Sequence, residues 1–223
     1  MEAHQLLIAR QGQSRTMACL RRSLDIVLAA TALLLLAPVV AVVVFAIAVS
    51  SPGPVIFRQR RLGRDLDPFT VLKFRTMHAN ADSAPHRDYV RTLIDSQAEE
   101  GSSQGGLYKL AVDDRVTRVG RLLRKSSLDE LPQLWNVIRG EMALVGPRPV
   151  IPYEAELYPS AYHGRFAVKP GLTGLWQVSG RNERTYEEMV RLDVEYAERN
   201  SIGLDLLILA KTVWVVLTRK GAA

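Results

Sequence analysis

From Ile26 to Val49 the chain runs for 24 residues without a charge, interrupted only by Pro38. As a helix rising 1.5 Å per residue this run would measure about 36 Å, enough for a hydrocarbon core of roughly 30 Å. Pro38 cannot donate to the carbonyl of Leu34 and its ring crowds that turn, so a kink is expected there. Ala46-Ile47-Ala48 has the small-x-small form of a signal peptidase site. The apolar run nevertheless exceeds the roughly 7 to 15 residues of a signal-peptide core, so the segment is expected to be retained. Arg10, Arg15, Arg21 and Arg22 precede it, and Arg58, Arg60, Arg61 and Arg64 follow it. This symmetry gives the positive-inside rule nothing to act on and fits two cytoplasmic ends. A helix that bends back to its own face and a kinked spanning helix both satisfy the proline, and sequence physics alone divides evenly between them.

Shorter patterns follow. Val55 to Arg61 and Thr70 to Thr76 have strand-like composition on either side of the turn-rich Gly63 to Pro68, which predicts a short β-hairpin. Thr117 to Lys125 reads as a short basic helix, Arg139-Gly140 as a helix stop and Gly146-Pro147-Arg148-Pro149 as a rigid loop. Residues 78–106 are polar, with a helix expected near Asp88 to Ala98 and a break from Gly101 to Gly106. Thr185 to Glu188 has capping-box spacing and opens a charged helix ending near Arg199. From Ile202 to Leu217 only Asp205, Lys211 and Thr212 interrupt an apolar pattern, and with Thr218 and Arg219 they form one helical stripe. An interfacial helix anchored by Trp214 and a buried core helix both fit.

Between the basic helix and the proline loop lies Ser127-Leu128-Asp129-Glu130-Leu131-Pro132. Ser127 stands three residues before Glu130 and just before an apolar run, again the spacing of a capping box. Pro132 favours the same helix start. Leu131, Leu134, Trp135 and Ile138 then recur at helical spacing and predict one buried face. Asp129 and Glu130 would thus sit at the positive end of a helix dipole. They read either as two acidic caps or as a reactive pair. A carboxylate can attack phosphorus to form an acyl-phosphate if cations offset the repulsion between anions. Arg124, Lys125 and Arg148 are the candidate phosphate clamps, and Asp113-Asp114 is a further acidic pair that could assist a metal.

Composition narrows the field. Lys and Arg outnumber Asp and Glu by 29 to 23, for a formal charge of +6 and a pI near 9.7, which favours an anionic partner. Cys19 is the single cysteine, excluding an intrachain disulfide or a cysteine-rich metal site. The four histidines lack metal-site spacing. The chain also lacks the aromatic interleaving or recognised module of a nucleic-acid binder, so nucleic acid is not an expected partner.

From about Arg21 to Gly221 the chain resembles the bacterial monotopic phosphoglycosyltransferases, the sugar transferases that start exopolysaccharide and O-antigen repeat units. The matching segments are the apolar helix with its central proline, Phe57 to Gly63, Leu72-Lys73-Phe74-Arg75-Thr76-Met77, Leu123 to Gln133, Gly140 to Pro149, and Pro170 to Gln177. The resemblance implies a mainly α fold with a short β-hairpin, a monotopic protein with a Pro38-kinked re-entrant helix and interfacial amphipathic helices. The expected organisation is a loosely ordered arm over 1–20, the membrane helix over 21–50 and a cytoplasmic or interfacial catalytic domain over 51–223.

The implied reaction moves a sugar-1-phosphate from a UDP-sugar, with galactose and glucose foremost, to undecaprenyl phosphate. Asp129 would attack the β-phosphate and expel UMP, Glu130 would complete the dyad, and Mg²⁺ would be required, with Asp129 as its ligand. Arg124 and Arg148 would lie in the phosphate site, with Lys125, Arg75 and Arg181 as further substrate-binding candidates. The implied location is the cytoplasmic face of the bacterial inner membrane, among its lipids; a homodimer and downstream glycosyltransferases are open as partners. One departure is Ala37-Pro38, where many relatives have Ser-Pro; the serine hydroxyl that could satisfy a carbonyl freed by proline is missing. The rival reading is a membrane-anchored adaptor whose basic surface binds anionic lipid or nucleic acid.

Overall fold

A computed structural model describes residues 15–78, 115–180 and 184–218. The helix expected over Asp88 to Ala98, the Asp113-Asp114 pair and Arg181 lie outside the described residues. The first elements among the described residues are two helices, α1 (Arg15–Leu35) and α2 (Ala37–Ser50), bent by 63° at Leu36. Pro38 lies in the first turn of α2, where a missing N–H costs least. Among the described residues no single helix is long and apolar enough to cross a membrane, whereas the bent pair passes that test together. Leu34 and Leu35, beside the bend, are 76% and 73% exposed, so the apex is a bare apolar surface.

The hairpin forms as expected: β1 (Ile56–Leu62) pairs antiparallel with β2 (Pro68–Phe74), Ile56 opposite Phe74 and Leu62 opposite Pro68. Next come α3 (Arg118–Ser126), α4 (Gln133–Arg139), β3 (Ala143–Val145), the single-turn α5 (Pro152–Ala155) and β4 (Gly171–Thr173). Thr117 caps α3 by accepting from the Gly120 amide, and Gly140 closes α4 at φ 84°. β3 and β4 form a two-stranded parallel pair that sequence reading did not find, since three-residue strands carry no usable alternation. The chain ends with α6 (Tyr186–Arg199) and α7 (Ile202–Thr218). Both halves of the Thr185–Glu188 capping box are present.

Three apolar clusters hold these parts together. Val43 and Ile47 of α2 pack with Phe74 and Leu123, fastening the bent pair to the hairpin and α3. Ala29 of α1 joins Val71, Leu134, Val137 and Ile208 in the central cluster. Val150, Tyr158, Phe166, Trp176 and Tyr186 form the third, under α6. Polar ties fix α1 further. Arg22 donates to the carbonyls of Val137 and Ile138, both at 2.6 Å, supplying positive charge at the C-terminus of α4, and Asp25 accepts from the Leu144 amide at 3.0 Å.

The polar stripe of α7 turns toward the protein. Asp205 accepts from the Tyr196 hydroxyl at 2.7 Å and pairs with Arg21, while the Thr212 hydroxyl lies 2.8 Å from that of Thr173. Ile208 is buried on the same side, but Leu206, Leu207, Val213 and Trp214 are all exposed. The helix is therefore only half a core helix, with an apolar face left open.

Candidate active site

The dyad does not stand on the first turn of a long helix. Ser127 adopts left-handed geometry, φ 57° and ψ 15°, and closes α3 with its amide bonded to the Arg124 and Leu123 carbonyls. Leu128–Glu130 make one 3₁₀ turn, and α4 starts only at Gln133 with Pro132 at its N-cap. The capping box expected between Ser127 and Glu130 is absent, since Ser127 makes no side-chain cap bond. Its backbone already serves the end of α3. The predicted buried face changes too: Leu134 and Val137 are buried with Gln133 and Asn136, while Trp135 is 51% exposed.

Glu130 is directed elsewhere. Its Oε1 lies 2.7 Å from Lys73 Nζ on β2 and 3.9 Å from Arg148 Nη1 in the proline loop. A charge-assisted bond to an ammonium is stronger than the neutral amide bond that a cap would offer. Burial pulls Lys73 below the ordinary lysine range, and Arg148 adds to that pull, while the carboxylates of Glu130 and then Asp129 oppose it. Both carboxylates thus act on one lysine. Asp129 is partly buried between α3 and α4.

Asn136 sets the hairpin at the right height for this contact. It is fully buried, accepts from the Leu72 amide at 3.0 Å, and donates to Thr70 O and Glu141 Oε2, each at 2.7 Å. With every donor and acceptor of its amide used, it sews α4 to the strand that carries Lys73. Gly120 does the same for α3: a Cβ there would come within 2.0 Å of Thr76 O. That close approach lets Arg124, one turn later, donate from Nε to Thr76 Oγ1 at 2.9 Å.

The other sequence-derived candidates divide. Arg148 meets Glu130, and Arg124 stands one turn before the dyad at the end of α3. Lys125 is exposed in that last turn. Arg75 is buried and donates through Nη2 to Ser51 O at 2.6 Å and Ser51 Oγ at 3.0 Å, where α2 hands over to the hairpin. Its Nε and Nη1 are buried without hydrogen-bond partners. Sequence reasoning missed Lys73, although strand alternation sets it on the same face as Arg75 and it stands in the quoted segment Leu72 to Met77. No local signal tells a lysine in a strand which distant carboxylate it will meet.

Chemically, a carboxylate neutralised by two cations sits next in sequence to a second carboxylate, at the joint of two helices. An anionic ligand approaching Asp129 would meet less repulsion than two unpaired acids would present. Among the described residues no three His, Cys, Asp or Glu side chains gather as a metal cage. Mg²⁺ bound together with phosphates needs only one or two carboxylates from the protein, a number that the adjacent Asp129 and Glu130 could supply.

Residues 16–219 match the family described as bacterial sugar transferase. The exopolysaccharide production protein ExoY of Rhizobium meliloti is 43% identical over 202 residues, covering 91% of this chain and 87% of that protein. A UDP-glucose:undecaprenyl-phosphate glucose-1-phosphate transferase of Caulobacter vibrioides is 41% identical, over 91% of this chain and 71% of its own length. The UDP-galactose-lipid carrier transferase of Erwinia amylovora is 43% identical over 99% of this chain, which spans only 46% of that longer protein. A family match over nearly the whole length, together with such identities, shows that this chain belongs to the bacterial sugar transferase family.

Proposed function

We propose that this protein transfers a sugar-1-phosphate, galactose or glucose first among candidates, from a UDP-sugar to undecaprenyl phosphate at a membrane surface. The observation that carries the reading is the Glu130–Lys73–Arg148 cluster beside Asp129 in a chain of this family. Asp129 attacks the β-phosphorus; the new bond is carboxylate oxygen to phosphorus, and the bond that breaks joins that phosphorus to the bridging oxygen, which leaves with UMP. An oxygen of undecaprenyl phosphate then displaces Asp129 from the phosphosugar and restores the carboxylate. Dividing the transfer in two lets one site serve a soluble donor and a lipid acceptor in turn. Mg²⁺, when bound through Asp129, supplies positive charge to the phosphate oxygens. Arg148 and Arg124 are the phosphate clamps, and the two unpartnered buried donors of Arg75 suit a further anionic group.

The membrane reading rests on exposed apolar surface. Leu34 and Leu35 at the bend, the outer face of α7, and Leu122 and Trp135 on the helices flanking the dyad are all exposed. Inserting the bent pair as a re-entrant hairpin, with both ends on the cytoplasmic face, would cover the first of these and hold the dyad at the interface. A patch of this composition costs least against lipid.

The test of the reaction is UMP release from UDP-galactose and UDP-glucose with undecaprenyl phosphate and Mg²⁺, for the native chain and Asp129→Asn. The variant is expected to lose turnover by about a thousandfold or more. Undiminished release by Asp129→Asn would remove Asp129 as nucleophile, and no release by the native chain from either donor would remove the reaction.

A further inference from the structure

The proline loop that carries Arg148 is fixed by contacts on every side. The Gly146 amide donates to Thr173 O at 2.9 Å, and Pro147 O accepts from the Gly171 amide at 2.8 Å. Pro149 O accepts from Arg61 Nη1 at 3.0 Å, and Val150 O from the Leu62 amide at 2.8 Å. Pro147 and Pro149 have no N–H, so the Arg148 amide is the only backbone donor between them. Both polar groups of Arg148's own backbone face one ion pair. Arg165 Nη2 donates to Arg148 O at 3.1 Å, and the Arg148 amide faces the Asp193 carboxylate on α6 and favours its ionised form. Arg165 and Asp193 are bonded to each other and are only 4% and 1% exposed.

The pair is itself buttressed. Arg165 Nη1 donates to the Tyr158 hydroxyl at 2.8 Å, and the hydroxyls of Tyr158 and Tyr186 meet Glu154 Oε1 at 2.9 and 2.7 Å. Taking two charges out of water is a poor source of stability, and apolar residues of similar volume often serve as well. Oδ1 of Asp193 is moreover buried without a hydrogen-bond partner. What such a pair does supply is direction at two points of a single peptide.

We propose that Arg165 and Asp193 are positioning residues whose task is to clamp the Arg148 backbone and so hold its guanidinium toward Glu130 and the substrate's phosphates. The proposal rests on the reading of Arg148 as a phosphate clamp. A side chain anchored by its own backbone keeps its reach when the ligand is absent, which lowers the ordering cost when the ligand binds.

The discriminating variant is Arg165→Met/Asp193→Leu in the full chain, which removes both charges and keeps apolar bulk. Its thermal midpoint, the hydrogen exchange of the peptide spanning residues 146–150, and the kinetics of UMP release are measured together. The midpoint is expected to stay within a few degrees of native while the Arg148 amide exchanges faster. The specificity constant kcat/KM for the UDP-sugar should fall on the order of a hundredfold. In an Arg148→Ala background the same pair of changes should cost little more, since both act through one side chain. Native exchange and native kinetics in the folded variant, or losses that simply add to those of Arg148→Ala, overturn the clamp. Should the double variant not fold, Arg165→Lys serves: an ammonium cannot reach Tyr158, Asp193 and the Arg148 carbonyl together, so the same coupling to Arg148→Ala is expected. If the native chain releases no UMP the transferase reading fails, while the exchange comparison still decides the clamp.

Discussion

Lys73 is the residue on which the dyad's charge balance turns. Replacing it by methionine keeps an unbranched stem at this position of β2 and removes the ammonium 2.7 Å from Glu130. Glu130 would then depend on Arg148 at 3.9 Å, and the repulsion between the two adjacent acids would grow. Lys73→Met is expected to lower kcat/KM for UMP release by about ten- to a hundredfold with a melting point near native, because the lost bond is partly exposed. A variant with native kinetics would relieve Lys73 of this role. Asp193 gives a pH test. Burial raises its pKa to about 7 against the pull of Arg165 and Arg148, and Glu154 adds to the rise. The folded carboxyl thus keeps its proton to higher pH than the unfolded one. Stability falls as pH rises from about 4 to about 7, by a few kcal/mol at most, then levels off. Asp193→Asn should flatten that slope relative to native when melting is followed across pH 4 to 8. Over the same window the native kcat/KM should rise as the ion pair forms, and the variant should lack the rise.

At the scale of elements, α3 sits where it does because Gly120 lies against Thr76. Gly120→Ala would put a methyl carbon inside the van der Waals radius of a backbone oxygen, so the helix must shift. The gain in helix propensity, about 1 kcal/mol, is smaller than the cost of overpacking, about 1 to 3 kcal/mol. The variant is expected to melt several degrees lower and to release UMP more slowly, because Arg124 and Ser127 move with the helix. A rise in melting temperature would show that the segment beside Thr76 yields freely. Local signals mark α3, α6 and the hairpin, for the basic run from Thr117 to Lys125, the capping box at Thr185 and the turn residues after Leu62 act on their own neighbours. The same logic places the start of α4 too early, because the spacing of Ser127 and Glu130 cannot reveal that Lys73 competes for the carboxylate.

At the scale of the whole molecule, the proposed re-entrant insertion turns on the bent pair. Pro38→Ala restores a backbone donor and lets α1 and α2 approach one continuous helix long enough to span. With exposed Cys19 first changed to serine, single cysteines at Gln13 and Gly63 can be labelled from the cytoplasmic side. The Pro38 chain should label at both positions and the Pro38→Ala chain at only one. Opposite accessibility in the Pro38 chain would sink the re-entrant topology.

The sequence by itself determined the features that depend on near neighbours: the uncharged run and its break at proline, the hairpin, the basic helix α3, the cap of α6, and the adjacency of two carboxylates between basic segments. Those follow from steric limits and hydrogen bonds within a few residues. Only the tertiary structure decided that Glu130 answers to Lys73, 57 residues away in sequence, and that the Arg148 backbone faces the buried pair of Arg165 and Asp193. It also decided that β3 pairs with β4 and that α7 turns its polar stripe inward. Each is a choice among distant partners made when the three apolar clusters close, and no local pattern encodes which charge will lie opposite which.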